Sequence, residues 1–258
     1  MKWFSVVFPL RERQVLVAVS LLGAALCAWI VCVERMRGMD AGPGTDLGGL
    51  GWFLGIWLTM MAAMMLPSVA PTVLLFASIR KEGHVWAFVV GYMLAWTGYG
   101  LTAYAVYRVV RTLAPSSVAW DAQGPWVAGG ALATAGLYQL TPVKRACLRH
   151  CRSPLHFLFH GPAGRVGAVR MGTAHGGYCV GCCTGLMVAL FALGVMSLFW
   201  MAVVAGVVAV EKALRGQAFS LMLAVALVGL GIWIGVSPAS VPGLEQPKEK
   251  PMDMGLSR

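Results

Sequence analysis

Three thiols and a thioether fall within nine residues of this chain, in Cys179-Val-Gly-Cys-Cys-Thr-Gly-Leu-Met187. They stand at the mouth of a long apolar run, where a polar loop would enter a membrane. On a helix, Cys179, Cys183 and Met187 follow one another at i, i+4 and i+8, with Cys182 beside them on the same broad face. Soft sulfur ligands grouped in this way suit Cu(I) above all, and Zn(II) less specifically. The bland alternative is close packing at a helix start, because Gly176, Gly177, Gly181 and Gly185 let another helix approach.

Further ligand types cluster elsewhere. Cys147-x-x-His150-Cys151 sets two thiols one helical turn apart beside an imidazole, among basic residues that favour thiolate. No second pair at finger spacing completes a zinc-finger pattern, and the group could equally be an incidental membrane-proximal loop. Met60, Met61, Met64 and Met65 make two i, i+4 pairs on adjoining helical stripes, between Trp57 and Pro67. They form either a thioether ladder for a soft cation or flexible filling of an apolar helix. Glu211, next to Lys212, is the one acid inside an expected span. It is either a buried acid with a role, a candidate ligand, or half of an interfacial pair. His175 is a further candidate ligand. Nothing resembles a Ser/His/Asp triad, a phosphate-binding glycine loop or a pair of hydrolytic carboxylates, so no catalytic residue is assigned.

Composition sets the scaffold that must carry these groups. Of 258 residues, 59% are hydrophobic and 12% charged, with a mean hydropathy of +0.74. Soluble domains carry about 25% charged residues, so the chain reads as an all-α, polytopic transmembrane bundle. The net charge of +10 follows from the Lys/Arg enrichment of cytoplasmic loops and does not call for nucleic acid. Seven cysteines are an odd number for a disulfide framework. Expected spans cover about 15–33, 52–79, 85–107, 125–140, 178–196, 197–210 and 218–236, as judged by length and hydropathy. The apolar stretch 178–210 would be about 50 Å long as one straight helix, against a hydrocarbon core of about 30 Å. It is therefore split near Met196-Ser197, which gives seven helices; a single span there would give six. Pro67 and Pro71 are expected to kink the second span. Residues 1–236 form one bundle, 142–177 a basic Cys/His-containing cytoplasmic loop, and 237–258 a disordered tail.

With the amino terminus in the cytoplasm, thirteen of the twenty Lys and Arg fall inside and seven outside, as the positive-inside rule favours. Seven spans then put the carboxy terminus in the periplasm. All five histidines and five of the seven cysteines come to the cytoplasmic side, where thiols stay reduced.

Several of these motifs together resemble a bacterial family described as predicted metal-binding integral membrane proteins, some of them labelled copper chaperones. The resemblance rests on Trp57-x-x-Met60-x-x-Ala63-Met64-Met65-x-Pro67, Tyr138-Gln-Leu-Thr-Pro142, Lys144-Arg-x-Cys147-Leu-x-x-Cys151-Arg-x-Pro154, Gly181-Cys-Cys183 with Leu186-Met187, and Gly194-Val-Met196 leading to Glu211-Lys212. It implies a metal, copper first, in a role at the bacterial inner membrane. The expectation is a Cu(I) chaperone, acceptor or transporter among membrane lipids, serving a copper-requiring client or a soluble copper carrier, with Zn(II) as the other candidate ion. A different class of function remains beside it: a membrane thiol oxidoreductase exchanging the Cys147/Cys151 and Cys179/Cys182 pairs.

Overall fold

A computed structural model of the chain describes residues 12–37, 47–80, 82–115, 123–153, 163–195, 197–214 and 216–237. The described residues form eight helices: α1 (Glu12–Met36), α2 (Leu50–Ile79), α3 (Glu82–Leu113), α4 (Gly124–Tyr138), α5 (Pro142–Arg152), α6 (Gly164–Leu193), α7 (Leu198–Ala213) and α8 (Ala218–Val236). Seven match the expected helices in order. The eighth, α5, lies in the stretch expected to be a loop. Residues 238–258 of the expected tail lie outside the described residues.

Four helices, α1, α2, α6 and α8, are long and apolar enough to cross a membrane. This differs from seven spans, because α4 and α7 have only 15 and 16 residues, against the roughly 20 a straight span needs, and α3, though 32 residues long, is not apolar enough to count among them. On α1 a thin stripe of Val17, Leu21, Ala25, Ala28, Cys32 and Met36 is buried, while Leu16, Val19, Leu22 and Leu26 are exposed. An apolar helix that keeps most of its surface outward suits a lipid neighbour. By contrast α2 and α6 are mostly buried and form the centre. α1 packs on α2, α2 on α3, α3 on α6, α4 on α8, and α5 along α6.

The expected loop at 142–177 is helical over much of its length. Thr141 starts α5, its hydroxyl accepting from the Lys144 amide at 3.3 Å with Pro142 at the first helical position, where a missing N–H costs nothing. α6 then begins at Gly164 and takes in Arg165, Arg170 and His175. Glycines that weaken an isolated helix are the contact points here. A Cβ on Gly91 of α3 would strike the Val169 carbonyl, one on Gly172 would strike the Phe88 carbonyl, and one on Gly176 would sit 2.6 Å from Ala95 Cβ. Close backbone approach through small residues is a standard way for membrane helices to pack.

Two further expectations concern helix ends. The chain breaks after Leu193 at Gly194, whose φ of +104° is open to glycine. Ser197 then caps α7 by accepting from the Trp200 amide, so the apolar stretch is two helices divided near the expected place. α2, in contrast, continues through Pro67 and Pro71, and the Ser68 hydroxyl donates to the Met65 carbonyl at 3.1 Å. Gly172→Val should cost about 1–3 kcal/mol or more by overpacking the α3–α6 contact. Gly177→Val, whose Cβ would meet nothing within 4 Å, should cost far less; melting of the detergent-purified proteins measures both.

Candidate metal centre

Three buried sulfurs meet between α5 and α6. The Sγ atoms of Cys151, Cys179 and Cys182 all lie within 4.8 Å of one another, with Cys151 and Cys182 at 3.7 Å. Sulfurs about 2.3 Å from a common ion stand about 4 Å apart, so one ion fits among them with small adjustments. Cys183 Sγ is 3.6 Å from Cys182 Sγ and is also buried. Cys179 and Cys182 come from adjacent turns of α6, and Cys151 is supplied by α5.

The inward face of α5 repeats at i, i+4 and i+7 as Lys144, Leu148 and Cys151, all buried, while Arg145 and Arg149 point out. Glu211 of α7 holds the start of that face. Lys144 Nζ donates to its Oε1 at 2.5 Å, Ser220 Oγ donates to the same oxygen at 3.3 Å, and Arg152 donates to the Glu211 backbone carbonyl. Both partners of the ion pair are buried. Cys147, one turn before Cys151, is half-buried against Gly181, where a Cβ would come within 2.6 Å of its Sγ. Burial pushes the Cys147 thiol up. The Cys151 thiol is pushed well up, first by its hydrogen bond to Cys179 and then by burial.

Donors surround Cys179. Lys212 Nζ donates to its Sγ at 3.2 Å, and Tyr92 Oη lies 3.1 Å from the same sulfur. Lys212 also donates to Ser68 Oγ at 2.9 Å, and Ser68 in turn reaches Met65 Sδ at 3.9 Å. A polar chain thus runs from the methionines of α2 to the thiols of α6. Met60, Met61, Met64, Met65 and Met187 are all buried in the same core. Trp57, one turn before Met61, donates to the Trp96 carbonyl at 3.0 Å and stacks on Phe191 at 5.6 Å, joining α2 to α3 and α6.

Not every candidate residue reaches the sulfurs. His150 is exposed, stacks on Tyr178 at 4.5 Å and is hydrogen-bonded through Nδ1 to the Ala146 carbonyl of its own helix. His175 is buried one turn before Cys179, with its ring 6.0 Å from those of Phe88 and Tyr92. It is not part of the three-sulfur group. Glu211 is not an interfacial partner of Lys212: its carboxylate turns to Lys144, 67 residues away in sequence. Cys27 and Cys32 stay on α1, the first exposed and the second in its buried stripe.

Lys144, Tyr92, Ser68 and Lys212 complete the site, in roles that no sequence motif marks. The inward spacing of Lys144 with Leu148 and Cys151 was a readable signal. Tyr92 and Ser68 had none, because their partners lie 87 and 144 residues away.

A family model described as PpoB2, copper chaperone, matches residues 54–234. The matched segment runs from α2 into α8, contains every sulfur of the site and leaves out α1. No curated protein and no solved structure matches the chain significantly.

Breaking the buried pair should be costly. Glu211→Gln leaves the Lys144 ammonium buried without a counter-charge and should lose about 3–5 kcal/mol. Adding Lys144→Met should recover part of that loss, as measured by thermal melting. Because α5 is then held less firmly, Cys151 should become more reactive to a maleimide in the single variant than in the double one.

Proposed function

The chain belongs to the copper chaperone family whose model it matches over residues 54–234, and on that premise we propose that it is an integral membrane protein that accepts and passes on Cu(I) through sulfur ligands. The observation that carries this reading is the meeting of Cys151, Cys179 and Cys182 sulfurs from two helices within 4.8 Å. Cu(I) is soft and accepts two or three sulfur ligands, the number this group offers. Zn(II) favours four ligands, and His150, the nearest imidazole in sequence to Cys151, is turned outward.

In this reading the copper ion is cargo. Cys147, half-buried on α5, receives it first. Cys151, Cys179 and Cys182 then hold it, and Cys183 is the neighbouring thiol for exchange. Met65 and the other methionines of α2, with Met187, offer neutral thioethers deeper in the core. The four long apolar helices support a membrane setting, and the excess of basic residues on the expected cytoplasmic side supports an orientation with the amino terminus and α5 in the cytoplasm of a bacterial cell. A copper-requiring enzyme or a soluble carrier is the partner.

A second reading draws on one distance. Cys151 and Cys182 sulfurs at 3.7 Å are close enough for a small movement to join them in a disulfide, as a thiol oxidoreductase would require. The pair is Cys151/Cys182 and not the sequence neighbours Cys147/Cys151.

The two readings separate on the purified protein. Metal analysis after anaerobic Cu(I) loading should find about one tightly held ion per chain, and Cys182→Ser should lose most of it. Unchanged copper content in Cys182→Ser counts against the copper reading, and a mixed disulfide trapped from cells in Cys182→Ser favours the oxidoreductase.

A further inference from the structure

The most unusual neighbour of the thiols is an ammonium group. Lys212 Nζ lies 3.2 Å from Cys179 Sγ, and its other partner is the neutral hydroxyl of Ser68 at 2.9 Å. Among the described residues it has no carboxylate partner. Glu211, next to it in sequence, is taken up by Lys144 and Ser220. Tyr92 Oη approaches the same sulfur from α3 at 3.1 Å. Two polar hydrogen-bonding groups from two helices thus converge on one fully buried sulfur.

A monovalent ion held by two thiolates leaves one negative charge in the site, and three thiolates leave two. An apolar interior makes that charge expensive unless it is paired and hydrogen-bonded. Groups donating to ligand sulfurs are a known lever on metal sites, acting on ligand basicity and on the net charge of the centre. Arginine would place a planar fork where lysine places a compact charge.

We propose that Lys212 is the counter-charge of the copper site, a positioning residue that binds no metal itself but holds Cys179 as an anionic ligand through an N–H···S bond and balances the copper–thiolate centre. Ser68 accepts a second hydrogen bond from the ammonium, which ties the charge balance of the thiols to the helix that bears the methionines. The inference rests on the reading of Cys151, Cys179 and Cys182 as a Cu(I) site. Its subject is how that site tolerates burial.

Full-length protein in detergent, titrated with Cu(I) against a chromogenic Cu(I) chelator, tests it. Lys212→Met keeps the apolar stem and removes the charge; its Cu(I) affinity should fall about tenfold or more, the scale of a hydrogen bond to a charged group. Lys212→Arg keeps the charge and should stay much closer to the parent. The ultraviolet sulfur-to-copper absorption should shift in Lys212→Met and not in Lys212→Arg, a change that mere loss of stability would not produce. Parent-like affinity and absorption in Lys212→Met, with binding lost in Cys182→Ser, would overturn the role of the lysine and leave the site standing. Parent-like binding in both variants would instead overturn the site. Should Lys212→Met fail to accumulate, Ser68→Ala leaves the charge but frees it. A several-fold loss of affinity is expected there, and no change in affinity or absorption would overturn the proposal.

Discussion

The buried ion pair between Lys144 and Glu211 decides where the sulfurs meet. α5 is only eleven residues long, too short to be stable alone in water, and its outward face is basic. It stays against α6 because its inward face presents a charge that α7 answers. Arg152 adds a second tie to the backbone of the same residue. Without those ties Cys151 would have no reason to stand 3.7 Å from Cys182, and α6 alone would offer only its own neighbouring thiols. Residues 211 and 212 therefore divide their work. One turns a negative charge toward α5 and the other a positive charge toward α6.

A second constraint sets the position of α3. Gly91, Gly172 and Gly176 bring the α3 and α6 backbones together more closely than any side chain would allow. That closeness puts Tyr92, one residue after Gly91, at hydrogen-bonding distance from Cys179. Gly100 does the same for Trp57, since a Cβ there would stand 2.5 Å from the indole. Trp57 in turn spans the distance from α2 to α6 by stacking on Phe191. Small residues on one helix and large rings on another are two halves of one packing solution. The thiols sit in a frame too tight to drift apart.

The helical class, the order of the seven expected helices and the break near residue 196 were legible because each rests on local signals: the length of apolar runs and the charge at their ends. The sulfur motifs were legible for the same reason. What misled was also local. Gly167, Gly172 and Gly176 with three Arg and His residues read as loop, yet α3 supplies the packing that makes them helix. The meeting of Cys151 with Cys182 was not legible, because these neighbours in space are 31 residues apart in sequence. Glu211 and Lys212 could be read as an interfacial pair, and only the folded chain sends the two in different directions. The methionines remain the least determined part. Their burial is plain, but a methionine in an apolar core needs no further reason to be buried.

The chemistry of the two sulfur types nevertheless gives the α2 row a direction. Thiolates bring negative charge to Cu(I), and thioethers bring none. In a low-dielectric interior, an ion at the three cysteines is held by charge as well as by softness, whereas an ion among Met60, Met61, Met64 and Met65 is held by softness alone. On the copper reading proposed above, the cysteines are therefore the tighter holding site and the methionines the weaker one. Ser68 stands between them, touching Met65 on one side and Lys212 on the other. Any shift of Lys212 as the thiols take up a cation is felt first at that hydroxyl. On the same reading, that one ammonium group is what links the thiol site of α6 to the methionine-bearing helix α2.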